Sequence, residues 1–96
     1  MSAANDPATA LELLRQSIDE LTRKIRDIDP NDPTRGQYEN ELYALSELKV
    51  ALQSEHNKLL RLRMERLARE VASLEPCNPR RSEIVRSILR FAKRPN

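Results

Sequence analysis

The chain has 96 residues, 39% hydrophobic and 33% charged, with one Gly, six Pro, one Cys and no Trp, which bounds it to one small domain of residues 1 to 96. A single Gly excludes the Gly-rich phosphate loops, and one Cys with one His excludes an internal disulfide and a zinc set. The net charge of +2 is unevenly placed: residues 1 to 57 hold 6 Lys+Arg and 11 Asp+Glu, a net of −5, whereas residues 58 to 96 hold 11 and 4, a net of +7.

Few aromatic or β-branched residues are left to build a sheet, so the expected class is all-α. Residues 1 to 6 read as a flexible N-terminus. Three Asx-Pro pairs, Asp6-Pro7, Asp32-Pro33 and Asn78-Pro79, each precede a stretch with helical periodicity. The Asx side chain can accept from orphan backbone N–H groups, and Pro at the first helical position gives up a donor that had no partner.

The first helix is predicted over Pro7 to Ile28. Leu11, Leu14, Ile18, Leu21, Ile25 and Ile28 alternate steps of three and four among charged and polar residues, a heptad seam that needs a partner helix. Asp29-Pro30-Asn31-Asp32-Pro33 breaks it, and so short a link favours an antiparallel helical hairpin.

The second helix is predicted from Pro33 to Leu74, with Gly36 in its first turns. Its stripe runs through Tyr38, Leu42, Leu45, Leu48, Leu52, His56 and Leu59, then with a small shift through Leu60, Met64, Leu67, Val71 and Leu74. Without an internal proline it would extend about 63 Å, well beyond the roughly 34 Å diameter of a globule of this size. The first helix would cover the half up to Leu59. Glu75-Pro76-Cys77-Asn78-Pro79 ends the segment, and a third, basic helix from Pro79 to Lys93 would cover the rest. It places Ile84, Val85, Ile88, Leu89, Phe91 and Ala92 on one side, and Arg86, Arg90, Lys93 and Arg94 on the other.

The expected architecture is thus elongated: a long central helix flanked by a heptad-patterned N-terminal helix and a short C-terminal one. Leu11, Leu14, Ile18, Leu21, Ile25, Leu45, Leu52, Leu67 and Val71 form its assembly seam. Leu13, Leu62 and part of Leu59 stay outside the two-helix seam, which points to a homo-oligomer or another helical partner.

Catalytic groups are scarce. His56 falls on the apolar stripe, where a hydrogen-bonded core or interface histidine is the simpler reading than a general base, and Glu47 and Glu55 have no nucleophile or ligand spacing beside them. Cys77 stands near a helix start, where the dipole lowers a thiol pKa, but it has no resolving Cys. Tyr43 either docks a partner or covers its own helix. The chain reads as a non-enzyme without cofactor, metal or small-molecule substrate.

The basic residues are the stronger signal. Lys58, Arg61, Arg69, Arg80, Arg81, Arg86, Arg90 and Lys93 could meet an acidic partner or follow phosphates. Thirteen of the seventeen basic residues are Arg, which suits bidentate contacts but also follows from a GC-rich genome. No aromatic interleaving, helix-turn-helix spacing or zinc finger accompanies them. No apolar run reaches the roughly 18 residues of a membrane span, and the polar start lacks a signal-peptide stretch. A cytoplasmic protein is expected, nuclear if the source is eukaryotic, with no membrane partner.

The stretch Asn40-Glu41-Leu42-Tyr43 through Lys58-Leu59-Leu60-Arg61-Leu62-Arg63-Met64-Glu65-Arg66-Leu67-Ala68-Arg69, followed by Arg81-Ser82-Glu83-Ile84-Val85-Arg86-Ser87-Ile88-Leu89-Arg90, resembles the helical domain of GINS proteins, the non-catalytic DNA-replication factors. There too an acidic, Leu-rich helix becomes Arg/Lys-rich and a short linker leads to another helix. The family's small β-rich domain has no counterpart here, and residues 1 to 37 match less clearly. The resemblance implies a scaffold subunit that bridges the replicative helicase to other replication proteins, assembled as a tetramer. Read from the residues alone, the chain is a helical interaction module; the alternative is a small homodimeric nucleic-acid-binding protein using its basic C-terminal half.

Overall fold

The computed structural model describes residues 8 to 92, with side chains placed through Arg90. The expected flexible segment 1 to 6, the expected first helical residue Pro7, the side chains of Phe91 and Ala92, and Lys93 and Arg94 lie outside that description. Among the described residues the chain is all-helical: α1 (Ala10–Asp27), α2 (Thr34–Ser54), α3 (Lys58–Ala72) and α4 (Pro79–Ala92).

α1 starts three residues later than Asp6-Pro7 suggests. Thr9 forms a capping box with Glu12: the Thr9 hydroxyl accepts from the Glu12 N–H, and the Glu12 carboxylate accepts from the Thr9 N–H, both at 3.1 Å. Two reciprocal bonds satisfy two orphan donors, which outweighs the single bond an Asp can make. Of the other two Asx-Pro pairs, Asn78-Pro79 acts as expected, with Pro79 the first residue of α4, whereas α2 starts one residue after Pro33, which takes the cap position without a side-chain cap bond. Asp32 accepts from the Thr34 N–H and Asn78 from the Arg80 N–H, each at 2.8 Å.

The predicted central helix is two helices. It breaks at Glu55-His56-Asn57, where the Asn57 side chain caps α3 by accepting from the Leu60 N–H at 3.1 Å. The Glu55 carboxylate takes the Asn57 N–H at 2.9 Å, and the Ser54 hydroxyl donates to the Val50 carbonyl at 3.0 Å. Ser, His and Asn are all middling helix formers, and Ser and Asn compete for backbone groups, so local bonding stops the helix without proline. His56 accordingly lies exposed in the break rather than in the seam.

This bend changes which helices meet. α1 packs against both α2 and α3, while α4 packs chiefly on α2 and touches α3. The expected division, first helix on the first half and third helix on the second, gives way to a two-layer slab of 45 × 41 × 21 Å rather than an elongated rod. Its radius of gyration is 14.1 Å, close to the roughly 13 Å of a 100-residue globule.

The core joins all four helices through Leu14, Leu21, Leu45, Leu48, Leu52, Val71, Ile84, Val85 and Ile88 with the alanines Ala10, Ala44 and Ala68. Each buried Leu or Ile contributes about 1.5–3 kcal/mol relative to exposure. On α1 the buried line is Ala10, Leu14, Ser17 and Leu21. The small side chains at 10 and 17 allow neighbouring backbones to approach, and Leu11, Ile18 and Ile25 of the predicted seam are half-buried at its edge.

Candidate functional site

The predicted seam residues are placed in the fold's own interior. Leu14, Leu21, Leu45, Leu52 and Val71 are buried, and Leu11, Ile18, Ile25 and Leu67 are half-buried, so most of this set holds the monomer together. Apolar surface remains elsewhere: Leu59 is 67% exposed, Val50 56%, Leu62 51%, Tyr43 45% and Leu60 44%. Leu13, expected outside, is half-buried.

A groove of about 430 Å³ lies where α2, α3 and α4 converge. Leu48 and Ala51 of α2, Leu60, Met64 and Leu67 of α3 and Ile88 of α4 form its apolar floor, while Glu47 and Arg63 stand on opposite helices at its rim. The α3 residues 60, 63, 64 and 67 are three and four apart, which aligns them on one face. Neither Glu47 nor Arg63 forms an ion pair among the described residues. A shallower depression of about 480 Å³ between α1 and the start of α2 is lined by Glu20, Arg23, Lys24, Asp27, Ile28 and Tyr38, charges of both signs.

The expected basic contact set is divided by the fold. Arg81 is a correction: it is 1% exposed, with Nε donating to Glu41 Oε1 at 2.9 Å and Nη1 to the Val71 and Leu74 carbonyls at 3.2 and 2.6 Å. Residue 81 lies one turn before Ile84 and Val85 on the inward face of α4, so its guanidinium closes the C-terminal end of α3, whose last carbonyls lack helical partners. Arg80 bonds Glu70 at 3.0 Å and lies 3.5 Å from Glu83, and Arg61 pairs with Glu65 at 3.8 Å. Arg69 donates to the Ala8 carbonyl at 3.1 Å, fastening the start of α1 to α3. Lys58, Arg86 and Arg90 are exposed, and among the described residues none is ion-paired; Lys93 lies outside the description.

Cys77 has φ 71°, and its N–H donates to Glu41 Oε2 at 2.9 Å. Its thiol is pushed up from the ordinary value by burial and by the Glu41 carboxylate, with Arg81 pulling the other way, which reverses the lowering expected from the α4 dipole. Glu41 itself, 1% exposed, was not signalled as a site by its charge, although it lies one turn before Ala44 and Leu45 on the inward face.

Among the described residues no helix is long and apolar enough to cross a membrane, and no group of three or more His, Cys, Asp or Glu side chains is capable of holding a metal. The GINS-like stretch is divided by the Glu55–Asn57 break between α2 and α3. No family model matches the chain, and neither a curated protein nor a solved structure is similar to it.

Proposed function

We propose that the chain is a non-catalytic helical interaction module whose α2–α3–α4 groove receives an amphipathic helix with acidic flanks from a partner protein inside the cell. The observation that carries this reading is the groove itself: an apolar floor with unpaired charges at its rim, set among basic helices. α3 has five basic residues against two acidic ones, and α4 four against one. An incoming helix would anchor apolar residues at i, i+3, i+4 and i+7 on Leu60, Met64 and Ile88. Its carboxylates would face Arg63, and the wider field of α3 and α4 would speed encounter more than it tightens the complex.

The GINS resemblance gives this module its specific form, a DNA-replication subunit held by helix–helix contacts. The second reading, nucleic-acid binding, is favoured by Lys58, Arg86 and Arg90, which are exposed and unpaired among the described residues.

A designed amphipathic peptide with a Leu stripe and Glu flanks tests the first reading by fluorescence anisotropy. Leu60→Glu, at a half-exposed position, should keep the helix content and weaken binding at least tenfold, on the order of 1.4 kcal/mol; unchanged affinity overturns the groove. Duplex DNA is the comparison probe. Affinity that falls steeply with salt and collapses in Arg86→Glu with Arg90→Glu would transfer the assignment to nucleic acid.

A further inference from the structure

The three breaks between the helices differ in kind. The α1–α2 link contains Pro30 and Pro33, and the α3–α4 link contains Pro76 and the left-handed Cys77 and runs into Pro79, the first residue of α4. Proline denies both a place inside a helix. Glu55-His56-Asn57 contains neither Pro nor Gly, and its flanking residues have φ −78°, ψ 125° at Glu55 and φ −73°, ψ 119° at Asn57. Their φ angles are close to helical values; ψ is what separates them from a helix. Within the break itself the bend is kept by local bonds, the Asn57 side chain on the Leu60 N–H and the Glu55 carboxylate on the Asn57 N–H, and beyond it by the packing of α3 on α1.

Leu59 marks what the bend costs. Leu45, Leu52 and Leu59 are spaced by seven, so an uninterrupted helix would place all three on one stripe. Leu45 and Leu52 are buried at 0% and 1%, while Leu59, turned out by the break, is 67% exposed. Straightening would join Thr34 to Ala72 in one helix of about 58 Å, longer than the 45 Å greatest dimension of the folded chain, so α3 and α4 would leave α1 and α2.

We propose that a second copy of this chain receives them: α3–α4 is exchanged between two copies by straightening at Glu55–Asn57. The surface that accepts the exchanged half is the chain's own α1–α2 face, already complementary to it, so the contacts of α1 with α3 and of α2 with α3 and α4 are remade between copies. The Glu41–Arg81 pair then joins two chains, and the two hinge segments meet with their Leu59 side chains. The groove is remade with α2 from one chain and α3–α4 from the other, so this inference stands independently of the peptide-docking reading.

Lys58→Pro separates the two forms. Residue 58 is the first helical position of α3, where proline is well accommodated, and extended Asn57 suits a residue before proline. In a continuous helix the same proline is interior, and should lower the exchanged population on the order of a hundredfold or more. His56→Ala with Asn57→Ala acts oppositely by removing the cap and raising helix propensity. The three proteins are refolded at high concentration and weighed by light scattering, with circular dichroism to establish helix content. The expected result is a species of twice the 11.1 kDa chain mass, enriched in the double-alanine variant and depleted in Lys58→Pro. Monomers throughout, or a dimer indifferent to Lys58→Pro, would overturn the exchange; retained peptide binding in either case would leave the groove reading intact.

Discussion

Arg81 Nε and Glu41 Oε1 lie 2.9 Å apart across forty residues of sequence, with both side chains 1% exposed. Through this pair α4 is tied to α2, through the Val71 and Leu74 carbonyls to the end of α3, and through the Cys77 N–H to the last turn between helices. Removing one partner leaves the other charge buried without its counter-charge. Glu41→Ala or Arg81→Ala should therefore destabilise by about 3 kcal/mol or more. Glu41→Leu combined with Arg81→Met should recover a large part of that loss, as urea unfolding of these three variants beside the unaltered chain will show.

Gly36 lies in the first turn of α2 with nothing within 4 Å of where a Cβ would stand and without a positive φ. Its conformational freedom has no use in the folded chain. Gly36→Ala should stabilise by about 0.5–1 kcal/mol, a gain measurable as a higher urea midpoint at unchanged m-value.

Cys77 presents the opposite case, a side chain where glycine would suit better. Cys77→Gly should be neutral or stabilising, and Cys77→Val destabilising by about 1–2 kcal/mol. Its raised thiol pKa means that the folded form resists ionisation. The associated stability is complete below the unfolded thiol pKa and declines as pH rises above it. At pH 8 alkylation by iodoacetamide should be slower for the folded chain than for the urea-unfolded one.

The Thr9–Glu12 box has a pH signature of the other sign. Hydrogen bonds from the Thr9 backbone and side chain hold the Glu12 carboxyl below its ordinary value, so its contribution is present above the unfolded carboxyl pKa and fades as pH falls through the folded one. Thr9→Ala should lower the melting temperature at neutral pH, and this difference should shrink below pH 4, as thermal scans by circular dichroism can follow.

Helix class, the α1–α2 link and the start of α4 follow from residues that act locally: the heptad spacing of Leu14 and Leu21, the prolines at 30, 33, 76 and 79, and the Asx side chains at 32 and 78, which accept from nearby backbone N–H groups. The break at 55–57 is harder to see because its stop signal is Asn57 alone, an N-cap three residues before Leu60, without the proline that marks the other links. Arg81 and Glu41 occupy inward helical positions, yet charge points to solvent until a partner forty residues away is known. The groove is hidden for a related reason. Leu48, Met64 and Ile88 come together only after the bend has set α3 beside α4, and no periodicity within one helix encodes that.

The slab is 21 Å through its thin axis, about two helix diameters, so every helix keeps one side toward water and the apolar interior is a single sheet of side chains. Ligands that bind only the folded form add to its stability by mass action. The melting temperature should therefore rise with the concentration of any molecule that binds against this thin core, making thermal shift a screen for candidate partners as well as a gauge of the fold.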